Sequence, residues 1–154
     1  MRILTVNNPA DKKVLSTVCD LVDFNLEGDD LRLERSFLKE TIRDMRVALK
    51  ESGVGIGLSA NQIGVTKRIF IVDLQKTGRG QVFINAEILR KVGEPYKSTE
   101  ECMSIPERQS VTMRYHTIIV KWYDRNGKKK TGTFTGLEAR VIQHERDHGD
   151  GLLI

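Results

Sequence analysis

The sequence predicts an α+β domain, a mostly antiparallel sheet packed with a helix that carries an HExxH metal motif. Three observations lead there. Residues 68–74 and 81–86 are rich in Ile, Val and Phe and are separated by Thr77-Gly78-Arg79-Gly80, so they read as two strands joined by a turn. Residues 110–124 and 129–134 flank Asn126-Gly127, a type I′ hairpin signal. Near the end of the chain, Val141-Ile142-Gln143-His144-Glu145-Arg146-Asp147-His148 places two histidines one helical turn apart on one face, with a glutamate beside them.

The remaining elements follow in order. Residues 1–6 read as a short strand or extended arm, followed by a loop through Pro9 and a short apolar segment, 14–24, of no assigned type. Across residues 30–52, Leu38, Ile42, Met45 and Leu49 recur at alternating steps of four and three, which predicts an amphipathic helix ended by Ser52-Gly53. Its apolar face is expected to pack against both the sheet and the histidine-bearing helix. A loop through Gly93 and Pro95 leads to Glu100-Glu101-Cys102-Met103-Ser104-Ile105-Pro106. Thr135-Gly136-Leu137-Glu138 is a capping-box pattern that starts the last helix, and Gly149 and Gly151 stop it. On that helix Leu137 and Val141 share a face with His144, Glu145 and His148.

Length and composition set the frame. The 154 residues, 39% apolar and 30% charged, suit one compact catalytic domain spanning 1–154. No apolar run reaches membrane-spanning length and the first residues lack a signal-peptide core, so a cytoplasmic location with no membrane partner is expected. Two cysteines, Cys19 and Cys102, are too few for a disulfide framework. The net charge is +4, with Arg125, Lys128, Lys129 and Lys130 clustered beside Asn126-Gly127. A solvated turn explains these cations better than a nucleic-acid patch, and no specific nucleic acid is expected as a partner.

Two histidines and a glutamate in this spacing suit a hydrolytic metal site: the metal acidifies a water and the carboxylate carries its proton. Such a site needs a third protein ligand. The HExxHxxGxxH pattern is excluded, because Gly151 fits but the last position is Ile154. A glutamate from a later helix is excluded too, since only six residues follow His148. Upstream, Cys102, Cys19, His116 and several carboxylates stand as candidates. Cys102 is preferred because a thiolate is a strong ligand for a borderline-soft metal and its segment is irregular or a strand end, and spacing alone leaves the others open.

Gly55-Ile56-Gly57-Leu58-Ser59-Ala60-Asn61-Gln62 is the other distinctive stretch. Gly55 and Gly57 deny side chains to one surface, so an extended peptide could approach the backbone. A phosphate loop is disfavoured, because its lysine and hydroxyl residue are missing. A glycine-rich strand end packed under the helix is the plainer reading.

Together, GIGLSANQ, EECMS and HERDH, in this order and with these separations, resemble the three motifs of the peptide deformylases. The resemblance covers nearly the whole chain. It implies a metal held by Cys102, His144 and His148, iron(II) by preference with zinc, nickel or cobalt as substitutes. It implies removal of the formyl group from the N-terminal formyl-methionine of newly made polypeptides, Glu145 taking and returning the proton of an activated water. Gln62 and the Met103 backbone N–H would stabilise the oxyanion, and Ile56, Glu100, Leu137, Val141 and His144 match positions that line or support the methionine pocket, with the backbone at Gly57 pairing with the peptide.

Three departures from the family pattern stand out. Glu101 occupies a position usually held by glycine, where it could alter peptide preference while activity survives. Ser59 replaces a common alanine. The chain stops at Ile154 without the C-terminal helix that bacterial members use to dock on the ribosome, as in short-tailed, phage-type members, which puts that docking in doubt. A monomer is expected. The competing readings are an ordinary HExxH metallopeptidase and a non-enzymatic peptide-binding relative.

Overall fold

All four residues of strand β2 (Ile69–Val72) are buried, which requires cover on both faces of its sheet. In a computed structural model describing residues 2–154, that cover comes from two helices. Before β2 come α1 (Pro9–Leu15), α2 (Gly28–Ser52), β1 (Gly57–Ser59) and a 3₁₀ turn (Ala60–Ile63). After it come β3 (Gln81–Val92), β4 (Tyr96–Cys102), β5 (Ile105–Arg114), β6 (Thr117–Tyr123), β7 (Lys129–Thr135) and α3 (Gly136–Gly149). The five-stranded sheet has the order β1-β2-β3-β6-β7 with every neighbouring pair antiparallel, and β4 and β5 form a separate antiparallel pair. The predicted α+β class with its antiparallel sheets is the one observed.

Alternation along the strands sorts the core into two layers. Ile69 and Ile71 join Leu58, Val82 and Ile84 against Leu38, Ile42, Met45, Ala48 and Leu49 of α2. Phe70 and Val72 join Phe83, Ile118, Val120, Trp122 and Phe134 against Ala139, Val141 and Ile142 of α3. The apolar faces of the two helices are therefore separated by the sheet. The expected packing of α2 on the histidine-bearing helix is corrected by this period-two alternation, because each face of the sheet needs its own cover.

The apolar segment after α1 has no regular structure. Val22 and Cys19 are buried while Val18 and Leu21 are 62% exposed. The Asn85 side chain holds the segment to the sheet, accepting from Val22 N at 2.9 Å and donating to Val22 O at 2.8 Å. Of the expected N-terminal arm, Met1 lies outside the described residues. The following residues run extended and are tied down by Leu4 N to Gln62 O at 2.8 Å and Val6 N to Ser104 O at 2.9 Å.

The stretch 110–124 is two strands, not one. β5 pairs with β4 and β6 with β3 and β7, so the chain changes sheets at Tyr115-His116. Gln143 on α3 fixes the break by accepting from Tyr115 N at 3.0 Å and donating to Tyr115 O at 2.8 Å. No turn residue marks such a change. The Asn126-Gly127 turn also differs from expectation, since only Gly127 has a positive φ (80°) and Asn126 does not, so it is not type I′. Asp124 shapes it by accepting from Asn126 N at 2.9 Å and Lys128 N at 3.0 Å. The last helix starts where expected, yet Thr135 makes no side-chain cap bond, and Gly136 N instead donates to His116 O at 2.9 Å. No helix among the described residues is long and apolar enough to cross a membrane.

Candidate metal centre

Three chemically distinct donors meet between the end of β4 and the last turns of α3. Cys102 is the final residue of β4 and pairs with Ile105, while Glu101 pairs with Gln109, so the opposite strand bulges by several residues between them. On α3 the i, i+4 spacing stacks His144 over His148. His148 Nε2 lies 3.4 Å from Cys102 Sγ and 3.2 Å from His144 Nε2, and the three donors lie within 4.8 Å of one another. Tetrahedral ligation at ~2.1 Å for nitrogen and ~2.3 Å for sulfur separates donors by about 3.4–3.6 Å, so the residues fit a zinc-like divalent ion. Among the described residues no other group of three such side chains comes together. Cys19 is held elsewhere by its N–H to Gly149 O at 2.9 Å, and His116 sits in the sheet break.

His144 is oriented from behind. His144 Nδ1 is 2.7 Å from Glu100 Oε1, which leaves Nε2 facing the other two donors. Arg114 grips Glu100 with Nε to Oε2 at 2.9 Å and Nη2 to Oε1 at 2.8 Å, and reaches Asp147 on α3 through Nη1 at 2.6 Å. Burial opposes charge on Glu100, yet the bonds from His144 and Arg114 outweigh it and hold the carboxyl well below its usual range. Burial, followed by the neighbouring His144, pulls His148 down to about 3. Asn61 Nδ2 donates to His148 O at 2.8 Å, tying the GIGLSANQ segment to α3.

Removing Arg114 leaves Glu100 buried without its guanidinium partner, held only by weaker bonds such as that from His144. Arg114→Leu is expected to cost about 3–5 kcal/mol of stability and to weaken metal binding by about 10–100-fold, read by chemical denaturation and by competition with a chelator. Unchanged metal affinity in a folded variant contradicts this role.

Glu145 and Gln62 complete the constellation. Glu145 is 5% exposed, its Oε2 has no hydrogen-bond partner, and burial pushes its carboxyl up to about 7. The fully buried Gln62 accepts from Ser59 N at 2.8 Å and donates to Ser104 Oγ at 3.1 Å, with Nε2 also 3.7 Å from Cys102 Sγ. One Gln62 N–H serves Ser104 and the other is directed toward the thiol side of the centre.

A cleft of about 990 Å³ opens onto these groups, with Ile56, Gly57, Gln62, Glu100, Cys102, Met103, Val141, His144 and Glu145 in its walls. Leu137, expected on the same face, is 48% exposed and does not line the cleft. It shares Val141's azimuth, but four residues of helical rise displace it by about 6 Å toward the helix start. The glycines also differ from expectation. A Cβ at Gly57 would lie 2.7 Å from Glu145 Oε1 and 2.8 Å from Val141 Cγ1, and one at Gly55 would lie 2.6 Å from Met103 Cε. Their missing side chains admit the site's own residues, which leaves the free edge of β1 as the place for another backbone.

Residues 1–154 match the family model for polypeptide deformylase. The chain belongs to the polypeptide deformylase family. Peptide deformylase 1 of Clostridium perfringens is 37% identical over 143 residues, which cover 93% of this chain and 90% of that one. The crystal structure of peptide deformylase from Thermotoga maritima superposes with a TM-score of 0.81 at 31% identity, covering 99% of this chain and 92% of that one. The deformylase of Vibrio parahaemolyticus bacteriophage VP16T, in complex with actinonin, gives 0.81 at 30% identity with 100% of both chains covered. Deformylases are metal-dependent hydrolases, and the Cys102, His144, His148 triangle is where this chain offers such a metal a place.

Arg114, Asp147, Asn61 and Ser104 support the site although the sequence does not single them out for that role. Asn61 and Ser104 lie inside stretches singled out for other residues. Arg114, in a strand far from the histidines in sequence, carries no local signal.

Proposed function

We propose that this chain removes the formyl group from N-formyl-methionyl peptides, with Cys102, His144 and His148 as metal ligands and Glu145 as acid and base. The single observation that carries the assignment is the convergence of the three donors beside a buried carboxylate that has an unpaired oxygen. A divalent ion bound there would acidify a water molecule and polarise the formyl carbonyl. Iron(II) is the proposed native ion, with zinc, nickel or cobalt as substitutes.

The chain's own groups do the rest. Glu145, with its carboxyl near neutrality, takes the water proton at Oε2 and returns it to the amine nitrogen as the C–N bond breaks, leaving formate and a free N-terminus. The second N–H of Gln62 and the Met103 backbone N–H donate to the developing oxyanion. Glu100 acts through His144, holding its ring. Ile56 and Val141 offer an apolar wall to methionine, and the free edge of β1 at Gly57 offers backbone groups to the residues that follow. Newly made polypeptides in the cytoplasm are the proposed substrates, and a single-domain monomer the proposed working form.

Formate release from formyl-Met-Ala-Ser by protein purified without oxygen tests this directly. Formate and free Met-Ala-Ser are expected, with acetyl-Met-Ala-Ser turned over far more slowly. Cleavage at an internal peptide bond, or no formate from fully metallated protein, would overturn the assignment.

A further inference from the structure

A second concavity lies at the end of the sheet where the β2–β3 loop meets the β6–β7 turn. It encloses about 380 Å³ and is walled in part by Arg46, Gly80, Trp122, Asp124, Arg125 and Lys130. None of these residues lines the catalytic cleft. Arg46 is half-buried on α2; its Nη2 makes one long bond to Gly80 O at 3.5 Å, and its Nε is buried with no partner. Burial, followed by the nearby charges of Arg125 and Arg79, pulls the Arg46 pKa down. Two guanidinium groups, from α2 and from the β6–β7 turn, thus face one hollow together with the ammonium of Lys130.

The nearby acids do not answer them. Asp124 Oδ1 is engaged by the amides of Asn126 and Lys128, and the Asp73 carboxylate by Thr77 N, the Thr77 hydroxyl and Gly78 N. Asp73 is an acid whose charge acts in Arg46's favour, and it is committed to its own loop. A concave site with unpaired guanidinium donors matches a tetrahedral oxyanion that accepts several hydrogen bonds, as a phosphate does. Lys128 and Lys129, both exposed, continue the positive track past the rim. A lone phosphate would leave them unused, whereas a sugar–phosphate backbone would meet them in succession.

We propose that this pocket, built on Arg46, Arg125 and Lys130, binds the phosphate groups of an RNA backbone without reading its bases. The proposal does not depend on the deformylase reading. It also revises the view of the basic turn as merely solvated: Arg46, distant in sequence, walls a hollow that opens beside the run of exposed lysines.

Trp122, the only tryptophan, lines the pocket and reports its occupancy. The native chain is titrated with an oligouridylate of about twelve nucleotides and, separately, with inorganic phosphate, following Trp122 fluorescence at several salt concentrations. RNA is expected to change the emission, with affinity falling as salt rises and exceeding that for inorganic phosphate. Arg46→Met and Arg125→Gln are each expected to weaken RNA binding about tenfold without changing formate release. Arg125 lies on an exposed turn, so its variant keeps the test valid if Arg46→Met perturbs folding. No response of the native chain to RNA, equal RNA affinity in the Arg125→Gln variant, or a response to inorganic phosphate alone would overturn the proposal.

Discussion

Glu145→Gln is expected to slow formate release by about 10³-fold or more while one metal ion per chain is retained. The replacement keeps the size of the side chain, so Gly57, beside which it lies, need not move. It removes the group that accepts and returns the proton. The carboxyl suits that work because burial raises it to about 7, so both protonation states are accessible near neutral pH. Steady-state turnover and metal analysis on the same sample separate the two effects. A variant that loses its metal would show Glu145 to be structural, and one that keeps full activity would remove it from the mechanism.

Cys102→Ser is expected to have an effect of similar size by a different route. A hydroxyl is a far weaker ligand than a thiolate for a borderline-soft ion, so metal should be lost to a competing chelator at concentrations the native chain withstands, and formate release should fall with it. The fold should survive, because Cys102 closes a hairpin through backbone pairing and is only partly buried. This variant also discriminates between readings of the HERDH helix. An ordinary metallopeptidase has no special need of Cys102, and unchanged metal content would favour that alternative over deformylation.

Much of this arrangement was legible in the sequence, for definable reasons. His144 and His148 are local to one helix, so the 3.6-residue period alone brings them together. Cys102 is different. Its meeting with them depends on the bulge opposite β4 and on the sheet that carries α3, and residue chemistry could rank it above Cys19 and His116 but not place it. The support behind the site was illegible for the same reason. Arg114 reads as one more polar residue on a strand, and only the fold sets it 2.9 Å from Glu100 and 2.6 Å from Asp147.

Two of the differences have a shared origin. A strand pattern says which residues face which way, not which partner strand they meet. Residues 110–124 read as a single strand because their pattern is continuous, while Gln143 on α3 makes the break at Tyr115. Gly55 and Gly57 read as room for a peptide because nothing local shows that Met103 and Glu145 already occupy that room. Tertiary partners override local signals at such positions.

Deformylation by this chain requires Cys102, His144 and His148 to hold one metal ion together. X-ray absorption at the metal edge of protein purified without oxygen reads those ligands. One metal per chain is expected, with one sulfur and two imidazole nitrogens among its nearest neighbours and the sulfur absent in Cys102→Ser. A metal surrounded only by nitrogen and oxygen in the native chain would contradict it.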